Sequence, residues 1–179
     1  MRKIDKLSYT AADLFDLCTS EVRRQEDRDF FTSCRPEILQ MASRYELLAG
    51  QRKLASLSDN TCVKLGIDKD KLLRLYSYRM LNKEQPGRRI YDEIKLSQRI
   101  CPTCGQTLVT TIDHYLPQTD YPSLVITPIN LLPACQRCNT TKLAKVETSF
   151  VKQTLHPYFD DFLEDRFLFA KVIQSPSLK

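Results

Sequence analysis

Cys101-Pro102-Thr103-Cys104-Gly105 and, thirty residues later, Cys135-Gln136-Arg137-Cys138 bracket the segment whose reading decides the fold. Two thiolates separated by two residues can grip one tetrahedral ion. A glycine directly after the second lets the chain turn so that backbone N–H groups face sulfur. Two such pairs make a complete ligand set of Cys101, Cys104, Cys135 and Cys138. Four thiolates leave no open coordination position, so the ion is expected to be a structural zinc. The bland alternative is four core cysteines without metal. The interval between the pairs exceeds the roughly 15–20 residues of a simple ribbon and must hold structure of its own.

The rest of the chain narrows the setting. Its 179 residues, 42% hydrophobic and 27% charged, fit one large or two small globular units. Seven cysteines, Cys18, Cys34 and Cys62 among them, are an odd set that does not suit a secreted disulfide framework. No apolar run approaches the roughly 20 residues of a membrane span. The charged start Met1-Arg2-Lys3-Ile4-Asp5-Lys6 leads into no signal core, so a cytoplasmic location is expected.

The first hundred residues read as helical. Leu14, Leu17 and Cys18 share one helical face. Pro36 suits a first helical turn, and Ile38, Leu39, Met41, Ala42, Tyr45, Leu48 and Ala49 then repeat with helical period up to Gly50. Asp68 or Asp70 can cap a segment over Lys71–Leu81, which Pro86-Gly87 ends, and a further short helix is expected over Arg88–Leu96. With four glycines in the chain there is no phosphate-cradling loop. After Arg99 the texture changes: Thr107–Ile112 reads as a strand, a Pro-rich loop follows, and a helix is expected from near Cys138 towards Val146. Gln174 to Lys179 reads as a loose end.

Inside the cysteine interval stand Ile112-Asp113-His114-Tyr115-Leu116-Pro117, then Asn130-Leu131, then Cys138-Asn139-Thr140-Thr141-Lys142. Asp113 offers a hard oxygen suited to Mg²⁺ or Mn²⁺. Its neighbour His114 points the other way along a strand. A neutral imidazole, with an ordinary pKa near 6.5, is well matched to taking a proton from water.

These residues resemble an HNH endonuclease, whose signature runs D-H-x-x-P, N-L, C-x-x-C-[HN]-x-x-K. The likeness covers about 45 of the 179 residues with every signature position in order. Joined to the helical reading of residues 1–98, it makes an α+β, mainly α chain: that helical region, a zinc-stabilised ββα-metal (His-Me finger) module over 99–148 that the resemblance implies, and an extension over 149–179. It implies phosphodiester hydrolysis in DNA with His114 as general base, Asn130 organising the loop that holds it, and a divalent ion, Mg²⁺ or Mn²⁺, on Asp113 and Asn139. Many relatives carry His at the Asn139 position, and the neutral amide oxygen here favours a hard ion. Lys142 could neutralise a phosphate or be a solvated helix charge. The resemblance further implies defence against foreign DNA, an ATPase or other protein partner, and relatives that continue past the segment around His156.

Residues 1–100 hold 20 Lys+Arg against 15 Asp+Glu, and residues 101–179 hold 7 of each. The run Lys83, Arg88, Arg89, Lys95 and Arg99 is therefore a candidate for contacting a phosphate backbone. His156, in Leu155-His156-Pro157-Tyr158, reads either as a turn with an aromatic anchor or as a group near the metal or a phosphate. Self-association into a homo-oligomer would compensate for the few base pairs one finger can contact. The competing reading of the whole chain is a non-catalytic zinc module that binds nucleic acid or protein.

Overall fold

A computed structural model describes residues 3–142, 152–161 and 171. Helix α1 (Ala11–Thr19) starts at a reciprocal cap: Thr10 Oγ1 accepts from the Asp13 N–H at 3.1 Å, and Asp13 Oδ2 accepts from the Thr10 N–H at 2.8 Å. It buries Leu14, Phe15 and Cys18, while Leu17 is only partly covered.

Helix α2 (Gln25–Gly50) is the spine of the molecule, and it corrects one expectation. Pro36 lies in its middle, not in its first turn. A proline there removes one helical hydrogen bond and costs about 3 kcal/mol. The helix tolerates it because Phe31, Cys34, Ile38, Met41, Ala42, Tyr45 and Ala49 form one continuous buried stripe across that point. Burying each large apolar side chain contributes about 1.5–3 kcal/mol. Pro36 itself is on the exposed face, where water can reach the freed carbonyl.

Short helices follow. Helix α3 (Thr61–Leu65) ends at Gly66 in left-handed conformation, φ 62°. Helix α4 (Lys69–Arg74) is capped by Asp68, whose carboxylate accepts from the Asp70 N–H at 2.8 Å. It widens into a π-helical turn, Leu75–Met80, that turns Leu75, Tyr76 and Met80 inward. Helix α5 spans Arg88–Leu96, with Ile90, Tyr91 and Ile94 buried. At its start Gly87 is wedged against the π turn and α1: a Cβ there would lie 2.6 Å from the Arg79 carbonyl oxygen and 2.8 Å from Cys18 Sγ. Gly87→Ala should therefore destabilise the chain by about 1–3 kcal/mol, as overpacking of a tight contact does. A urea midpoint indistinguishable from wild type would show that α5 can slide away without cost.

Two four-residue strands, β1 (Thr111–His114) and β2 (Leu131–Ala134), pair antiparallel with Asp113 opposite Leu132 and His114 opposite Leu131. The strand begins later than the sequence suggests. The preceding residues close the cysteine turn instead, with the Cys101 N–H bonded to the Thr107 carbonyl at 2.8 Å and the Val109 N–H to the Arg99 carbonyl at 3.0 Å. Helix α6 (Gln136–Lys142) follows β2 and packs on β1. Its expected continuation to Val146, like the final segment from Gln174, lies outside the described residues. The described structure is thus mainly helical with one small antiparallel sheet.

The sheet sits between two apolar clusters that α2 spans. Ile112 and Leu131 join the cluster formed by α1, the first half of α2, α4, the π turn and α5. Leu132, Tyr115 and Leu116 join the one formed by Met41, Tyr45, Leu54 and Tyr158. Alternation along the strands therefore sends successive side chains into different surroundings. Among the described residues no helix is long and apolar enough to cross a membrane.

Candidate functional site

The four predicted cysteines converge: the Sγ atoms of Cys101, Cys104, Cys135 and Cys138 all lie within 4.8 Å of one another. In a tetrahedron with Zn–S bonds of about 2.3 Å, sulfurs stand roughly 3.8 Å apart, and Cys104 and Cys135 are already at 4.0 Å. Gly105, at φ 67°, makes the turn that aims the first pair. The Thr107 hydroxyl lies 3.1 Å from Cys104 Sγ, and the Cys138 N–H points at Cys135 Sγ at 3.4 Å. Hydrogen bonds from Thr107 and the adjacent backbone pull the Cys104 thiol down to about 6, and the Thr107 hydroxyl lowers Cys135 as well. Burial pushes Cys138 up. The donor set, its spacing and its thiolate character fit a structural metal such as zinc.

Beside this cluster the strand alternation divides Asp113 from His114. Asp113 lines a mainly apolar cavity of about 320 Å³ together with Tyr115, Leu116, Thr141, Lys142 and Leu155. Lys142 Nζ reaches across from α6 to Asp113 Oδ2 at 3.1 Å and also donates to the His114 carbonyl. Burial raises the Asp113 carboxyl and lowers the Lys142 ammonium, and their mutual attraction opposes both shifts. Asn139 lies half-exposed on α6; neither it nor His114 lines the cavity.

His114 faces the opposite side, 8% exposed, with the Tyr76 ring edge-on at 4.5 Å between centroids. Its Nε2 is 2.8 Å from the Val125 carbonyl oxygen. A carbonyl only accepts, so Nε2 carries the proton and Nδ1 keeps its lone pair. Among the described residues no hydrogen bond engages Nδ1. Burial holds the imidazole down, to about 4, which keeps it neutral at cellular pH.

Asn130, fully buried, ties this loop together. Its Oδ1 accepts from the Leu116 N–H at 2.8 Å, its Nδ2 donates to the Leu116 and Leu124 carbonyls at 3.2 Å, and its own carbonyl accepts from the Tyr115 N–H at 2.8 Å. The structure thus brings Asp113, His114, Asn130 and Lys142 into one connected group. Tyr76 and the Val125 carbonyl escaped the sequence reading. Tyr76 comes from a distant helix, and a backbone carbonyl has no residue signature.

His156 is buried in a polar network of its own. Nδ1 accepts from the Tyr158 N–H at 3.2 Å, so Nε2 donates to the Tyr45 hydroxyl at 2.8 Å. The ring stacks on Tyr115, and its backbone N–H is held by Asp160 Oδ2 at 2.6 Å. With both nitrogens engaged by protein groups, it has the geometry of an anchor. Burial, helped by Lys142 and Lys6, depresses its pKa to about 3. Below an ordinary imidazole pKa near 6.5 the unfolded chain takes up a proton that the folded chain refuses. Stability should therefore fall as pH drops from 6.5 towards 3, by up to about 1.4 kcal/mol per pH unit from this group. Urea midpoints at neutral and mildly acidic pH should show a smaller loss in His156→Gln than in wild type; equal losses would remove His156 as a cause.

No family model matches the chain, and no solved structure matches it. Among curated proteins, protein Ea31 of Escherichia phage lambda is 30% identical over 184 residues, which cover 97% of this chain and 62% of that protein. The Septu protein PtuB of Bacillus thuringiensis is 52% identical over 54 residues, covering 27% of this chain and 21% of that protein. The chain spans less than two thirds of either relative, and its similarity to the Septu protein is local and high.

Proposed function

We propose that this chain is a metal-dependent HNH-type endonuclease that hydrolyses phosphodiester bonds in DNA, in the service of defence against foreign DNA. The observation that carries the reading is the geometry of His114: Nε2 is fixed on the Val125 carbonyl and no hydrogen bond engages Nδ1, on the strand residue next to Asp113. A strand pair and helix joined to a four-cysteine cluster suit a ββα-metal module, and local similarity to a Septu protein supports the defence role.

In this reading Nδ1 of His114 takes a proton from water as its oxygen attacks phosphorus, the P–O3′ bond breaks, and a second water from solvent protonates the leaving oxygen while His114 returns its proton to solvent. Asn130 holds the loop so that the imidazole keeps one tautomer. Asp113 already accommodates a cation, the Lys142 ammonium, at Oδ2. With Asn139 it would hold a hard ion such as Mg²⁺ or Mn²⁺, which when bound supplies charge neutralisation at the phosphate. Zinc stays structural.

Supercoiled plasmid incubated with Mg²⁺ or Mn²⁺ tests this. Wild type should convert it to nicked or linear form, and His114→Ala should not. Equal cutting by both would remove His114 as the base, and cutting by neither would leave a zinc module that binds without catalysis.

A further inference from the structure

The basic run before Cys101 is partly neutralised in the fold. Arg88 and Arg89 sit on α5 against their own i+4 partners, Asp92 at 2.9 Å and Glu93 at 3.8 Å. Lys83, Lys95 and Arg99 of that run have no ion pair among the described residues, and a second basic group lies in a groove of about 750 Å³ between the α1–α2 connection, α4 and the π turn. Five basic side chains, Arg23, Arg24, Lys71, Arg74 and Arg79, line it against two acids, Glu21 and Asp27. Asp27 is already taken up by Lys71 at 3.1 Å. Arg23, Arg24 and Arg74 are exposed and, among the described residues, have no ion pair or side-chain hydrogen bond. Tyr78, 58% exposed, opens into the same groove beside the Arg79 guanidinium, 5.6 Å from its ring centroid.

We propose that this groove is a nucleic-acid backbone clamp, in which Arg23, Arg24 and Arg74 bind successive phosphates of the DNA substrate. The identity of the polyanion rests on the nuclease reading; the clamp itself rests on the groove. Its volume far exceeds one phosphate, and unpaired guanidiniums are planar forks matched to phosphate oxygens. Placement also favours the substrate over an unrelated anion. The π turn that contributes Arg79, Ser77 and Tyr78 to the groove sends Tyr76 inward against His114. The π turn therefore borders both the groove and the ring that packs on the candidate base.

The test is binding of a fluorescent DNA duplex by anisotropy over a range of KCl concentrations. It uses zinc-loaded protein in the His114→Ala background without Mg²⁺, so that cleavage does not enter. Each lost phosphate contact lowers the slope of log affinity against log salt by about 0.9. Arg23→Ala/Arg24→Ala/Arg74→Ala should lower it by about two to three and weaken binding at least about tenfold at moderate salt. The corresponding triple lysine variant should keep most of the slope, and Arg89→Ala all of it. An unchanged slope in the alanine variant overturns the clamp, as does a parent that binds no duplex. Displacement by polyglutamate as efficient as by unlabelled duplex would also overturn it, assigning the groove to an acidic protein. Wild type that cuts no plasmid while the alanine variant loses its slope would remove the nuclease reading and keep the clamp. Plasmid cutting with an unchanged slope would do the reverse.

Discussion

Removing the metal that the four cysteines could hold, by chelation or by Cys138→Ser, is expected to loosen the cysteine turn and helix α6 and to cost the whole chain several kcal/mol. The reason is how little else holds those two elements. The described residues of α6 bury none of their side chains, and the turn from Cys101 to Gly105 has no helix or strand of its own. A structural zinc contributes on the order of 10–16 kcal/mol of apparent binding free energy, and that binding is coupled to folding. Part of the hairpin should persist, because Ile112, Leu131 and Leu132 are buried in the two apolar clusters. A loss of about 3–5 kcal/mol, seen as a fall of roughly 10–15 °C in Tm, is therefore expected for Cys138→Ser, with bound zinc measured by mass spectrometry falling in parallel. A serine variant that keeps its zinc and its Tm would show that three thiolates suffice and that the cluster is not a closed site.

The second large effect is on the cleavage proposed for this chain. Loss of a positioned general base costs about 10²–10⁴ in rate, so His114→Ala should reduce plasmid cleavage by that factor. The alanine variant has a weakness as a test. It opens a void beside Tyr76 and orphans the Val125 carbonyl, so some of its loss could come from the fold. His114→Gln separates the two, because a glutamine amide can still donate to that carbonyl but cannot act as a base. The expectation is near-wild-type melting for His114→Gln with cleavage as low as in the alanine variant. Cleavage restored to within a few-fold by glutamine would mean that His114 positions the loop and that another group takes the proton.

Both predictions concern residues that stand out in the sequence, and the reason is local. The C-x-x-C spacing and the Asp113-His114 pair carry their geometry within a few residues, so pattern alone finds them. Helix α5 was legible for the same reason, with Pro86-Gly87 before it and apolar residues at helical spacing inside it. Pro36 misled because its local preference for a helix start is outweighed by a buried stripe that runs through it. The environment of His114 was hidden. The ring that touches it comes from a π turn nearly forty residues earlier in the chain, and the atom that fixes its tautomer is a main-chain oxygen. The pairing of Arg88 and Arg89 with their i+4 acids was available from spacing, and it moves attention from α5 to the groove at Arg23, Arg24 and Arg74.

Helix α6 is fastened at two points, by Cys138 to the cysteine cluster and by Lys142 to Asp113 and the His114 carbonyl. A rod clamped in this way does not depend on its own middle for shape. The middle of α6, Cys138-Asn139-Thr140-Thr141, is made of weak helix formers, and Thr140 is exposed with its hydroxyl donated back to the Gln136 carbonyl at 2.8 Å. Position 140 is therefore a place where a reporter group can be installed without disturbing either fastening. Its tumbling relative to the body of the protein would register the release of each clamp separately.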